Sequence, residues 1–121
     1  MAVEHALEKA MIEWLNKSGH YAVAVKSGMI EQLRYGYHSW VHLAPKGTPD
    51  IFACIKGKFV GIETKAGKGK PTALQEKNLM NIMGTGGIAV LVNEGGIGAL
   101  ALFLKAELPE QGMFLDLLKE R

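Results

Sequence analysis

The chain has 121 residues, 48% of them apolar and 21% charged, with a formal net charge of +2 at pH 7. That length accommodates one globular domain, expected to bury roughly two-thirds of its unfolded surface, and leaves no room for a second. The charge is too small to mark nucleic-acid binding by itself, a single cysteine excludes an internal disulfide, and no apolar run approaches the ~20 residues that span a bilayer.

Glu4, Glu8, Lys9 and Glu13 interrupt the first apolar residues. The segment therefore lacks the apolar stretch of a signal peptide, and a cytoplasmic, reducing location with no membrane partner is expected. Val3, Leu7, Ala10, Met11, Trp14 and Leu15 recur at helical spacing, and Ser18-Gly19 supplies a C-cap, so the spacing predicts an amphipathic first helix. Glu4 borders its apolar stripe and can lean toward a sheet beneath it. A glutamate in a first turn is also favoured by the helix dipole, and Glu8 competes one turn on.

Tyr21–Val25 reads as the first strand. Lys26–Lys46 reads as a long loop mixing bases, aromatics and glycines, with Ser39–Leu43 as a short strand within it. Two uses of it stand open. Arg34 and Lys46 can meet phosphates while Tyr35 or Tyr37 stacks on a base or sugar, or the aromatics simply pack beneath the loop. His38 and His42 fall on one strand face but lack further partners for zinc.

Ile51–Ile55 and Phe59–Ile62 are β-branched and aromatic runs separated by Lys56-Gly57-Lys58, the pattern of a hairpin. Pairing across that turn places Asp50 beside Glu63. Strand alternation sends Glu63 and Lys65 to one face and Thr64 to the other. Two carboxylates about 4 Å apart repel by roughly 4 kcal/mol at an intermediate dielectric, a cost that a divalent cation reverses. Hard oxygen donors suit Mg²⁺, with Mn²⁺ as its substitute. Cys54, inside the first of these strands, is read as a small core residue.

Ala66-Gly-Lys-Gly-Lys-Pro71 follows as a basic loop. It is not a Walker loop, because Thr64 and Pro71 stand where that motif needs glycine and serine or threonine, so no nucleotide cofactor is expected. Lys68 and Lys70 are suited to backbone phosphates. Thr72 and Gln75 form a capping box for a second helix running to about Met83. Ile88–Val92 reads as a buried strand with Asn93-Glu-Gly-Gly as its exit turn, Ala99–Leu104 as an edge strand, and Glu110–Arg121 as a terminal amphipathic helix. The expected architecture is α/β: helix, three- or four-stranded mixed sheet, helix, further strand, and a tail.

Pro49-Asp50 followed by Glu63-Thr64-Lys65 resembles the signature of the PD-(D/E)xK nucleases, and Gly47-Thr-Pro-Asp50 with Gln75 on the next helix resembles, more narrowly, their virus-type replication-repair (VRR-NUC) family. The resemblance runs from about Glu4 to Asn93, within a core of about residues 3–93, and leaves 94–121 as a variable segment. It implies a restriction-endonuclease-like fold and metal-dependent hydrolysis of DNA phosphodiesters. Asp50, Glu63 and the Thr64 carbonyl would hold Mg²⁺, Lys65 would assist, Gln75 would position the scissile phosphate or Lys65, and Glu4 is the position matching the family's first-helix acid. Stand-alone members of such families resemble four-way-junction resolvases, which implies branched DNA as substrate and a symmetric homodimer. The competing expectations are a catalytically silent nucleic-acid-binding module of the same fold and a small assembly subunit.

Overall fold

The computed structural model describes residues 2–119, without the side chains of Ala2 and Arg34. The expected first helix is present as α1 (Ala2–Lys17). Its Met11 and Leu15 are buried and its Leu7, Ile12 and Trp14 pack beside them. The chain turns away from it at Gly19, whose φ of +90° is a left-handed conformation that glycine adopts without a Cβ penalty.

A five-stranded mixed sheet forms the body. Its strands are β1 (Tyr21–Ala24), β4 (Ile51–Ile55), β5 (Lys58–Thr64), β6 (Ile88–Val92) and β7 (Met113–Leu117), in the spatial order β1-β4-β5-β6-β7. The hairpin expected at β4 and β5 is there, with Ile51 opposite Ile62 and Ile55 opposite Lys58. Lys56 and Gly57 turn with φ of 52° and 80°, the positive values that a two-residue hairpin turn demands. β5–β6 and β6–β7 run parallel and so need crossovers. These are α2 (Ala73–Gly84) and α3 (Ile97–Lys105).

Alternation divides the sheet into two faces. Ile51, Ala53, Ile55, Val60, Ile62, Val90 and their neighbours pack against Met11 and Leu15 of α1 and Leu100 and Leu104 of α3. On the other face Ala89 and Leu91 meet Leu79 and Ile82 of α2, with Phe114 and Leu118 alongside. Gly61 lets α2 come close, since a Cβ there would lie 2.6 Å from Ile82 Cδ1.

Four expectations are corrected. The Lys26–Lys46 loop is a two-stranded arm, β2 (Met29–Arg34) and β3 (Tyr37–His42), paired only with each other and turning at Tyr35-Gly36 with positive φ at both. Ala99–Leu104 lies within helix α3 instead of an edge strand: the run is rich in alanine and leucine without a β-branched residue, and Leu100 and Leu104 bury one helical face. Met113–Leu117, expected as part of a terminal helix, is a strand parallel to β6, where pairing with the open sheet edge outweighs a helical spacing of only four apolar residues. Cys54 is exposed, because alternation along β4 turns it to the face opposite the main core.

Candidate active site

The chemistry-bearing residues gather where β4 begins and β5 ends. Gly47 leads in with φ +91°, and a Cβ there would lie 2.7 Å from Leu74 Cγ, so the Gly-Thr-Pro segment packs directly on the first turn of α2. Pro49 is buried and Asp50 follows at the mouth of β4. The Asp50 carbonyl accepts from Val25 N at 2.8 Å, extending the β1–β4 ladder. Its carboxylate Oδ2 accepts from both the backbone N and the Oγ1 of Thr64, each at 2.9 Å. These two hydrogen bonds, one from a side chain that alternation sends away from Glu63, fix the carboxylate across the end of β5.

Glu63 is 1% exposed, and its Oε1 has no hydrogen-bond partner. Burial first, then the Asp50 charge, then a hydrogen bond to Asp50 that only a protonated carboxyl can donate, push the Glu63 pKa up to about 9; Lys65 opposes the shift and Glu4 adds to it. Lys65 shares the strand face, as expected, with Nζ 4.0 Å from Glu63 Oε2. Its own backbone N donates to Val92 O at 2.9 Å, which locks the end of β5 to β6.

Both candidate helix acids lie within electrostatic reach of this point. Glu4 acts on Glu63, while the Glu8 pKa is raised by burial and by Asp50, with Lys26 and His5 opposing. Among the described residues, no group of three His, Cys, Asp or Glu side chains is gathered closely enough to hold a metal ion. The test of fit is therefore the pair itself. A buried carboxylate oxygen without a partner, beside a second carboxylate, is the donor set that Mg²⁺ accepts, since that ion takes one or two protein carboxylates and keeps waters or phosphate oxygens on its other positions.

The remaining candidates spread outward. Gln75 N donates to Thr72 Oγ1 at 3.1 Å and Gln75 Oε1 accepts from Thr72 N at 2.9 Å, so the capping box holds its side chain at the start of α2. Lys46, Lys68 and Lys70 are exposed. Tyr35 stands at the tip of the arm, 92% exposed; Tyr37, Trp40, Leu33, Met29 and Ile30 are exposed on it too. The Arg34 side chain lies outside the described residues. His38 pairs with Glu31 at 3.4 Å rather than with His42. Lys56 and Lys58, at the far end of the hairpin, donate to the carbonyls of Leu104 and Ala106 and of Gly86 and Glu110, so these two bases serve the fold.

One group was missed in the sequence. Asn93, read as part of an exit turn, is 1% exposed. Its Nδ2 donates to Gly67 O at 2.9 Å and Lys119 O at 2.8 Å, and its Oδ1 accepts from Lys119 N at 3.1 Å. Glu94 Oε1 accepts from Gly67 N at 2.7 Å. The basic loop after Lys65 is thus held on both sides of Gly67. A polar residue ending an all-apolar strand was the one available signal.

Compared with models of known protein families the chain matches none, and no curated protein matches it. No described helix is long and apolar enough to cross a membrane.

Proposed function

We propose that the chain carries a PD-(D/E)xK nuclease core of the VRR-NUC type and hydrolyses phosphodiester bonds in DNA with a divalent cation. The observation that carries this reading is the pairing of half-buried Asp50 with fully buried Glu63, with Glu63 Oε1 unpartnered and Lys65 on the same face. A purely structural pair would be expected to satisfy that oxygen, because an unmet buried acceptor costs about 1–3 kcal/mol.

In this reading Asp50, Glu63 and the Thr64 carbonyl hold Mg²⁺ or Mn²⁺, with Glu4 or Glu8 available from α1. The ion supplies Lewis-acid neutralisation of phosphate charge and a lowered pKa for water. The chain's own residues do the rest. The two Thr64 hydrogen bonds orient the Asp50 carboxylate. Glu63 must give up its proton for the site to load. Lys65, nearly buried and held by its backbone, offers an ammonium to the charge that builds on phosphate oxygens. Gln75 keeps its cap through Oε1, which leaves its amide nitrogen to donate to a phosphate. Lys46, Lys68 and Lys70 meet flanking phosphates, and Arg34 and Tyr35 extend that contact along the arm. Branched DNA is the proposed substrate, and the exposed apolar side chains of the arm give a homodimer a surface on which to form.

The test is cleavage of labelled linear, nicked, flap and four-way-junction DNAs with Mg²⁺ or Mn²⁺, with Asp50→Ala as control. Metal-dependent cutting lost in the variant supports the nuclease, and paired symmetric cuts in the junction support a dimer. Salt-sensitive binding without cutting of any substrate would replace it by the catalytically silent binding module.

A further inference from the structure

A cleft of about 700 Å³ opens on the α2 face of the sheet, between the Gly67–Pro71 loop and the C-terminal strand. Its apolar floor is Leu91, Phe114 and Leu118. Lys68 and Lys70 rise on one wall and Lys119 on the other. None of these three ammonium groups has a protein partner among the described residues. Glu76 and Asp116 also border the cleft and leave it an excess of one positive charge. Asp116 Oδ1 is engaged by Leu118 N at 3.1 Å.

Asn93 builds this cleft. It ties Gly67 on one wall to Lys119 on the other through three hydrogen bonds. The turn after it is just as constrained: a Cβ on Gly96 would lie 2.0 Å from Leu117 O, so β7 is pressed against the exit of β6. The cleft also adjoins the candidate active site through its loop. Its loop leaves directly from Lys65, and Gly69 folds back until a Cβ on it would lie 3.8 Å from Lys65 Cβ. An apolar floor carrying an aromatic ring, Phe114, and flanked by unpaired ammonium groups is complementary to an anion with an aromatic body. The volume falls within the range of ligand pockets.

We infer that this cleft is a nucleotide subsite, in which Phe114 underlies a base and Lys68, Lys70 and Lys119 hold its phosphates, next to the phosphate presented to Lys65. The inference rests on the phosphodiesterase reading for its place on a DNA strand. It assigns the segment after Asn93 a substrate-binding role: β7 and Lys119 form one half of the subsite. Binding of a base plus phosphate exceeds binding of either part, because stacking on an aromatic floor adds ~5- to 150-fold in affinity to the charge contacts.

The experiment is an amide chemical-shift titration of the full chain, free of metal, with thymidine 5′-monophosphate, thymidine and inorganic phosphate as separate probes. The nucleotide is expected to move Gly67–Lys70, Phe114 and Lys119, to bind at least ~5-fold more tightly than either part, and to weaken several-fold in both Lys119→Ala and Lys70→Ala. Shifts located elsewhere, no shifts at millimolar nucleotide, or a phosphate titration that matches the nucleotide in affinity would overturn the subsite. Because no cleavage is read, the two proposals fail separately: nucleotide binding here without any DNA cleavage removes the nuclease, and DNA cleavage without binding here removes the subsite.

Discussion

Glu63→Gln separates the cost of the buried carboxyl from its use. With its pKa raised from 4.5 to about 9, Glu63 keeps a proton in the folded chain that it loses when unfolded in neutral solution. A raised folded pKa contributes stability that is fully present below 4.5 and is lost as pH rises toward 9. Each pH unit in that window removes about 1.4 kcal/mol, so between pH 5 and 8 the metal-free protein gives up about 4 kcal/mol through this one group. Glutamine has nearly the same shape, donates to Asp50 as the protonated acid does, and cannot ionise. Urea denaturation in EDTA at pH 5.5, 7 and 8.5 is therefore expected to show the wild type weakening with pH and the variant holding nearly level, so that the variant is the more stable protein at pH 8.5. Added Mn²⁺ is expected to restore the wild type and leave the variant unchanged. Parallel pH curves for the two proteins would refute the reasoning, since Glu63 would then be ionised in the folded state already.

Three further outcomes follow from the same geometry. Lys65→Ala is expected to keep the fold and Mn²⁺ binding while lowering the single-turnover cleavage rate at least ~10²-fold, the scale of one lost transition-state contact; near-normal turnover would remove Lys65 from the chemistry. Thr64→Val deletes the hydroxyl that holds Asp50 Oδ2 and is expected to weaken Mn²⁺ binding by calorimetry about 10-fold, as outer-shell losses do. Replacing Lys68 and Lys70 together by alanine is expected to flatten log DNA affinity against log salt by about two units, and an unchanged slope would return that loop to a solvated turn.

The hairpin and its acids were legible because short-range rules settle them. Two β-branched runs around Lys-Gly force a tight turn, and pairing then places Asp50 by Glu63 with Lys65 on the same face. The helical spacing of α1 and the Thr72–Gln75 box were equally local. What escaped depends on distant partners. Ala99–Leu104 and Met113–Leu117 exchange their expected classes because an open edge of β6 accepts a strand and α3 must cross back to reach it. The arm hides in a stretch whose alternation is blurred, since both faces of β2 and β3 meet solvent and neither is purely apolar. Asn93 could not be read as a clamp because its partners, Gly67 and Lys119, lie 26 residues away in either direction. For the carboxylates, the sequence establishes adjacency, but burial is what raises the Glu63 pKa, and burial comes from the sheet, α1 and α2 together.

The most direct measurement is the position of Mn²⁺ in crystals of the protein, located by its anomalous scattering. A peak roughly 2 Å from carboxylate oxygens of both Asp50 and Glu63 is the expected result. With saturating Mn²⁺, a Glu63 Oε1 that still has no ligand, or ions bound only elsewhere on the surface, would contradict a catalytic metal centre at this hairpin.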